Sequence, residues 1–145
     1  MPEKKTIERA KRDKAEGKAA TTQAGEFVRE EMEHVREGKH GARSPQQAIA
    51  IGLSKARRAG VELPPPRKGT TSEATRKRAE RDLEKGRSGK QTKPSAKRSR
   101  ATREALKREP RAAASKSALS KQAKQAAARR RTRGKATESE TTRAR

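Results

Sequence analysis

The chain has 145 residues, of which 41 are Lys or Arg and 18 are Asp or Glu, so its formal net charge at pH 7 is +23. It contains no cysteine, which excludes disulfides and thiolate metal sites. No apolar run is long enough for a membrane span or a signal peptide, so we expect a cytoplasmic protein with no membrane partner. The charge favours a polyanionic partner, because each Lys or Arg near a phosphate releases a condensed counterion.

The large apolar residues are concentrated in the first part of the chain. Beyond Leu63 only Leu83, Leu106 and Leu119 remain. The charge is distributed the other way: residues 1–60 hold 14 basic and 9 acidic side chains, and residues 61–145 hold 27 and 9. We therefore expect a core in the first part and none in the second, where ordering entropy would be unopposed.

The N-terminal arm, residues 1–19, has helix-forming composition but little to bury, which predicts a marginal helix ending at Gly17. A second helix is predicted from near Thr22 to Gly38. Its apolar residues fall on one stripe, which Phe27 widens into a core face. The residues of the stripe are Val28, Met32 and Val35.

The third predicted helix has the clearest local signals. Ser44 is a good N-cap, Pro45 suits the first helical position, and Gln47 can close a capping box back onto Ser44. Gly52 would allow a partner helix to approach closely, and Gly60 provides a left-handed stop. The core face of this helix is formed by Ile49, Leu53 and Ala56.

These elements predict a mostly α-helical, partly disordered protein. A small two-helix hairpin module at residues 20–63, with the strip 61–63 packed across its end, precedes a basic, conditionally helical tail at residues 64–145. Residues 86–95 have linker composition, and Gly134 is expected to end the last helix-prone stretch. The helix-prone segments of the tail, which we expect to be helical on phosphate, are 72–85, 99–109 and 112–133.

Three groups of basic residues are candidates for binding nucleic acid, with double-stranded DNA as the expected partner. Two residues form the first group and flank the N-terminus of the third helix, where anions are favoured. Three residues on the outer face of that helix form the second group, and the residues of the third group lie along the tail. The candidates are Lys39, Arg43, Lys55, Arg57, Arg58, Lys93, Lys97, Arg98, Arg100, Arg129, Arg130, Arg131 and Arg133.

Other interpretations of these features remain open. The tail can be an inert solubilising segment, and the loop before the third helix an ordinary capped turn. A helix-turn-helix reader is disfavoured, because residues 38–43 are longer than the turn of that motif. Binding of single strands by base stacking is also disfavoured, because Phe27 is the only aromatic residue and is assigned to the core.

The acidic second helix suggests a metal site only weakly. Glu30 and His34 are one turn apart and His40 follows, but two histidines without further convergent ligands are usually solvated. We therefore expect no metal and no cofactor. We expect no enzyme activity either, since the chain has no Cys nucleophile, no Gly-rich loop after a strand and no Ser/His/Asp set on a plausible scaffold. We hypothesise instead that the acids of this helix compete weakly with DNA for the tail. They are Glu26, Glu30, Glu31, Glu33 and Glu37.

The hairpin sequence resembles a family of small basic bacterial proteins. The stretches that carry the resemblance lie within residues 25–60 and include Gly-Glu-Phe-Val-Arg-Glu-Glu-Met, Lys-His-Gly-Ala-Arg-Ser and Gln-Ala-Ile-Ala-Ile-Gly-Leu-Ser. Some members carry labels such as plasmid stabilisation or DNA-binding protein. The resemblance implies a bacterial origin and a recurring hairpin, and it brings no binding or catalytic residues.

The function we expect is non-specific, charge-driven DNA binding of the nucleoid-associated or plasmid-maintenance type. The hairpin would add a second contact or a self-association surface. Two alternatives stay open: an adaptor or antitoxin-like module that docks a protein through the hairpin, and a basic protein associated with RNA or the ribosome.

Overall fold

The computed structural model describes residues 2–89, 93 and 95–143, with side chains described as far as Lys135. Within these residues the chain folds into six α-helices and one short 3₁₀ helix. The elements are α1 Lys4–Ala15, α2 Ala20–Arg36, α3 Pro45–Arg58, α4 Glu73–Ser88, α5 Ala96–Arg108, the 3₁₀ helix Ala112–Ala114 and α6 Lys116–Arg143.

The predicted fold class, a two-helix hairpin with a partly disordered and conditionally helical tail, is wrong. Helices α2 and α3 do form a pair, but α1 packs on α2, α4 packs on α3, and the 3₁₀ helix contacts both. The prediction counted large apolar side chains, whereas most of the observed core is alanine. Eight of the fourteen buried hydrophobic residues in the described part of the chain are alanines: Ala10, Ala24, Ala42, Ala48, Ala56, Ala79, Ala113 and Ala114.

Helix α3 begins and ends where the local signals predicted. Ser44 is the N-cap, its hydroxyl accepts a hydrogen bond from the Gln47 backbone N–H at 3.2 Å, and Pro45 is the first helical residue. Gly60 follows the helix with a φ of +103°, a conformation that favours glycine. The Gln47 side chain departs from the predicted capping box, because its oxygen accepts from the Arg43 backbone N–H at 2.6 Å.

We expect Ser44→Ala to lower the free energy of unfolding by about 1 kcal/mol, because it leaves an N–H of the first turn without its cap. Urea denaturation of the full chain would measure the change. Gln46→Ala is the control, since Gln46 is exposed in the same turn. An equal loss in both variants would mean that the hydroxyl is not what stabilises this helix end.

The first apolar cluster joins α1, α2 and α3 around Phe27, which is fully buried. Val61 and Leu63 pack into it, so these two residues after α3 are part of the core, as predicted. Arg57 secures this strip, since its Nε donates to the Leu63 carbonyl at 3.2 Å and its Nη2 donates to the Pro64 carbonyl at 3.0 Å. The other members of the cluster are Ala10, Ala24 and Ala56, with Ile7, Ala20 and Leu53 at its edge.

The second apolar cluster joins α2 and α3 to the 3₁₀ helix and the start of α6. The 3₁₀ helix places Ala113 and Ala114 in one cluster with Met32 and Val35 of α2, and Leu119 of α6 packs at its edge. Both alanines are almost fully buried. Residues from the second part of the chain therefore do contribute to the core, contrary to the prediction.

Glycines allow close approach at two helix contacts. A Cβ on Gly52 would lie 2.7 Å from the Val28 Cα, which confirms that Gly52 lets α2 and α3 meet closely. A Cβ on Gly86 would overlap the Arg57 carbonyl oxygen, so Gly86 lets α4 pack on α3. Gly86 lies inside α4 and does not begin a linker; the helix ends at Gly89, which has a φ of +65°.

Helix α6 is longer than predicted. It begins at Lys116, since the preceding alanines form the 3₁₀ helix, and it continues through Gly134 as far as Arg143. In the part of the chain that the structure describes, no helix has both the length and the apolar content needed to cross a membrane.

Candidate nucleic-acid interface

The loop at residues 38–43 anchors the C-terminal helices to the rest of the fold. The Gly41 backbone N–H donates to the Leu106 carbonyl at 2.8 Å, and the Ala42 N–H donates to the Pro110 carbonyl at 3.0 Å. A Cβ on Gly41 would overlap a backbone carbonyl of the C-terminal segment, so this contact requires glycine. The end of α5 and the segment that follows it are thus held beside the loop that carries two of the predicted binding residues.

Helix α5 presents a dense cationic surface. It has six basic residues and one acidic residue, and none of its side chains is buried. Lys97, Arg100, Arg103 and Lys107 recur every three or four positions, so they share one face over about 15 Å of helix. None of these four forms an ion pair with a described carboxylate.

Helix α6 continues this cationic character. Residues 116–135 contain eight basic side chains and no acidic one. Arg129, Arg130 and Arg131 are all exposed, and no described carboxylate pairs with any of the three. Exposed like charges along a helix repel one another, and an external polyanion would relieve that repulsion.

The two predicted residues of the loop are exposed but have acidic neighbours. The Lys39 Nζ lies 3.2 Å from a Glu37 carboxylate oxygen and 3.6 Å from one of Glu3, and these contacts, the first above all, raise the pKa of Lys39. The Arg43 side chain is 78% exposed, with its Nε 3.9 Å from Glu109 Oε1. Phosphate binding here would compete with these pairs.

The three predicted residues of α3 are in different environments. Lys55 is mostly buried and paired with the buried carboxylate of Glu31. Arg57 is also buried, where it secures the strip described above, and burial lowers its pKa. Arg58 is half exposed, with its Nε 3.9 Å from Asp82 Oδ1. The structure therefore does not place these three cations together on one open surface.

Most of the predicted binding residues that are exposed lie on α5, just before α5, or on α6. Sequence reasoning missed further exposed cations there, although helical spacing in residues 97–108 and 116–124 could have indicated them. Arg133 is exposed as well. The predicted residues that are exposed and form no ion pair with a described carboxylate are Lys93, Lys97, Arg98, Arg100, Arg129, Arg130 and Arg131. The missed ones are Arg103, Lys107, Arg108, Lys116, Lys121 and Lys124.

The acidic side chains of α2 and of its C-cap, Glu37, pair with cations from the first part of the chain. In the described residues, every ion pair that they form joins them to a cation within residues 1–60, and none reaches α5 or α6. The pairs are Glu26 with Arg9, Glu31 with His40 and Lys55, Glu33 with Arg29, and Glu37 with Lys39.

Both histidines were expected to be solvated, and both are mostly buried. The side chains of His34 and His40 are 15% and 14% exposed. The His34 Nε2 lies 3.2 Å from Glu3 Oε1, and the His40 Nε2 lies 3.1 Å from Glu31 Oε2. Sequence spacing did not indicate this, because Glu3 and His40 approach α2 only through the fold.

The fold and surface define a small, all-helical, strongly basic protein. Residues 4–68 match the sequence profile of a family described as Family of unknown function (DUF6496). The match extends beyond the resemblance at residues 25–60 and includes α1, and it does not support the labels plasmid stabilisation or DNA-binding protein. No curated protein and no solved structure matches the chain. Helices α4, α5 and α6 lie outside the family match.

Proposed function

We propose that the protein binds double-stranded DNA through its phosphates, without strong sequence preference, as nucleoid-associated or plasmid-maintenance proteins do. Helices α5 and α6 supply most of the contacts. The observation that carries the proposal is the set of exposed cations on these two helices that form no ion pair with a described carboxylate. Elsewhere in the chain, basic side chains alternate with acids and many are paired.

Electrostatics accounts for such binding without a shaped pocket. Each cation that neutralises a phosphate releases counterions, which gives the complex its affinity and its salt dependence. Phosphate contacts position a protein on the duplex but carry no sequence information. Lys55 and Arg57 are engaged inside the fold, so α3 offers few side chains for reading base edges.

Two observations favour this proposal over its alternatives. An adaptor that docks a protein through the hairpin would need an open apolar face, but α1, α4 and the 3₁₀ helix pack against α2 and α3. Recognition of single-stranded RNA by stacking needs exposed aromatic rings, and the chain's only aromatic residue, Phe27, is buried. Duplex RNA shares the phosphate chemistry and is therefore included as a competitor in the test.

The experiment is a salt titration of the full chain against two duplex DNAs of unrelated sequence. We expect equal affinities and a slope of log K against log salt that corresponds to about 6–10 phosphates. In a fourfold variant of α6, we expect the slope to fall by about 3–4, since each lost phosphate contact removes about 0.9. The substitutions are Lys124→Gln, Arg129→Gln, Arg130→Gln and Arg131→Gln.

A matched variant of α4 controls for net charge, because it removes four exposed cations from a helix that also carries acids. We expect its slope to change by less than about 1. Equal losses in both variants would assign binding to overall charge and not to α6. Negligible binding near physiological salt would refute DNA binding, and tighter binding of duplex RNA would favour the RNA alternative. The control substitutions are Lys77→Gln, Arg78→Gln, Arg81→Gln and Lys85→Gln.

A further inference from the structure

A compact set of metal-ligand side chains lies at the end of α2 and in the loop that follows it. Glu31 and His34 are three positions apart and share one face of α2, and His40 returns from the following loop. One donor atom from each of the three lies within 4.8 Å of the others. Glu31 is fully buried, and the two imidazoles are mostly buried.

The hydrogen bonds of His40 fix which ring nitrogen faces this cluster. The Nδ1 lies 2.8 Å from the Gly41 carbonyl oxygen, which can only accept, so Nδ1 carries a proton. In the neutral ring, Nε2 is then an unprotonated donor atom that points at Glu31 Oε2, 3.1 Å away. Nε2 of His40 and Oε2 of Glu31 are therefore adjacent atoms that could both bind a cation. Metal-ligating histidines commonly have this arrangement, with the distal N–H held by a backbone carbonyl.

The carboxylate of Glu31 is held in a similar way. Lys55 pairs with Oε1, which leaves Oε2 to act as a monodentate ligand. Ligating carboxylates are usually hydrogen-bonded through their second oxygen in this manner. The region is also locally acidic in a strongly basic protein. Glu30 is buried beside it, and its Oε2 has no hydrogen-bond partner among the described side chains and backbone.

We propose that Glu31, His34 and His40 bind one divalent first-row transition cation, for which Zn²⁺ is the probe. Two imidazoles and one carboxylate are a donor set that such cations accept, with a water in the fourth position. At bond lengths of about 2.0–2.1 Å, tetrahedral ligand atoms lie about 3.4 Å apart, so small side-chain rotations close the present spacing. Binding would fasten the loop at residues 38–43 to α2, since His40 lies in that loop and the other two ligands lie on α2.

The test is titration of tag-free full chain with Zn²⁺ by calorimetry, together with the visible spectrum of the Co²⁺ form. We expect one ion per chain, a dissociation constant below about 10 μM and Co²⁺ bands typical of low coordination number. His34→Gln and His40→Gln should each weaken Zn²⁺ binding at least tenfold. Glutamine at residue 40 keeps a donor for Glu31, so this variant should still fold.

Glu33→Gln and Glu37→Gln are the matched controls, since each removes one carboxylate of α2 or of its C-cap outside the proposed set. Their affinity should equal that of the unchanged chain. No binding by the unchanged chain, or equal weakening in all variants, would overturn the proposal. Loss of binding in Glu3→Gln together with full binding in His40→Gln would also overturn it. That pattern would assign the ion to the neighbouring group of Glu3, Glu30 and His34.

A thermal scan with and without Zn²⁺ keeps the test decisive if a variant is unstable. The cation should raise the melting temperature of the unchanged chain, and the shift should keep growing with the logarithm of free Zn²⁺ above the dissociation constant, because the cation binds the folded state. No shift at saturating Zn²⁺ would overturn the proposal independently of any variant.

Discussion

Lys55→Met is expected to lower the free energy of unfolding by about 3 kcal/mol, because it removes the cation that neutralises a carboxylate buried in the fold. Glu31 is completely buried, and Lys55 is its only ammonium partner among the described residues. The estimate lies at the lower end of the usual range for broken buried pairs, because His40 still contacts the other oxygen. Urea denaturation monitored by circular dichroism would measure the change.

The pairing predicts a specific pattern across related variants. Glu31→Gln combined with Lys55→Met should recover part of the lost stability, since neither charge then remains buried alone. Arg58→Met is the control on the same helix, where the half-exposed side chain should contribute no more than about 0.5 kcal/mol. A loss of the same size for Arg58→Met and Lys55→Met would show that burial of the pair is not the cause.

Gly41→Ala is expected to release the C-terminal segment from the rest of the fold, at a cost of about 3 kcal/mol. The new methyl group would overlap the Glu109 carbonyl oxygen, and the two segments cannot move apart without breaking the hydrogen bond that the Gly41 N–H donates to the Leu106 carbonyl. Undocking would expose the alanines of the 3₁₀ helix together with Val35. Hydrogen exchange should therefore accelerate over residues 106–119 while α1 and the start of α2 stay protected.

Gly25→Ala is the matched control, because nothing lies within 4 Å of the Cβ it would add. Within α2 it should stabilise the chain by about 0.5–1 kcal/mol through helix propensity. If exchange over residues 106–119 were the same in Gly41→Ala as in the unchanged chain, the segment would not depend on this close contact. Loss of protection throughout the molecule would instead mean that the C-terminal segment and helices α1, α2 and α3 unfold as one unit.

Local signals predicted those parts of the fold that depend on only a few adjacent residues. Ser44 and Pro45 mark the start of α3, Gly60 marks its end, and Gly52 marks the closest approach to α2. The burial of Phe27 followed from its position on the apolar stripe. Each of these inferences needed only a capping rule or helical periodicity.

The rest depends on contacts between residues far apart in sequence. Ala113 and Ala114 look like neutral helix formers, yet both are buried because small side chains allow the 3₁₀ helix to meet α2. A count of large apolar residues therefore underestimated the core of this chain. The candidate site also divides into a part that composition predicts and a part that it does not. Residues 129–131 are exposed, as their composition predicted. Lys55 and Arg57 are instead held by partners that sequence spacing did not reveal.

The length of α6 sets how many base pairs each chain would cover in the proposed complex with DNA. Its 28 residues extend for about 42 Å, the length of about 12 base pairs, which carry about 25 phosphates. The chain's net charge of +23 nearly equals that number. One molecule lying along each such interval would leave the duplex close to electroneutral. Neighbouring duplexes would then no longer repel one another, so saturation would coincide with condensation of the DNA.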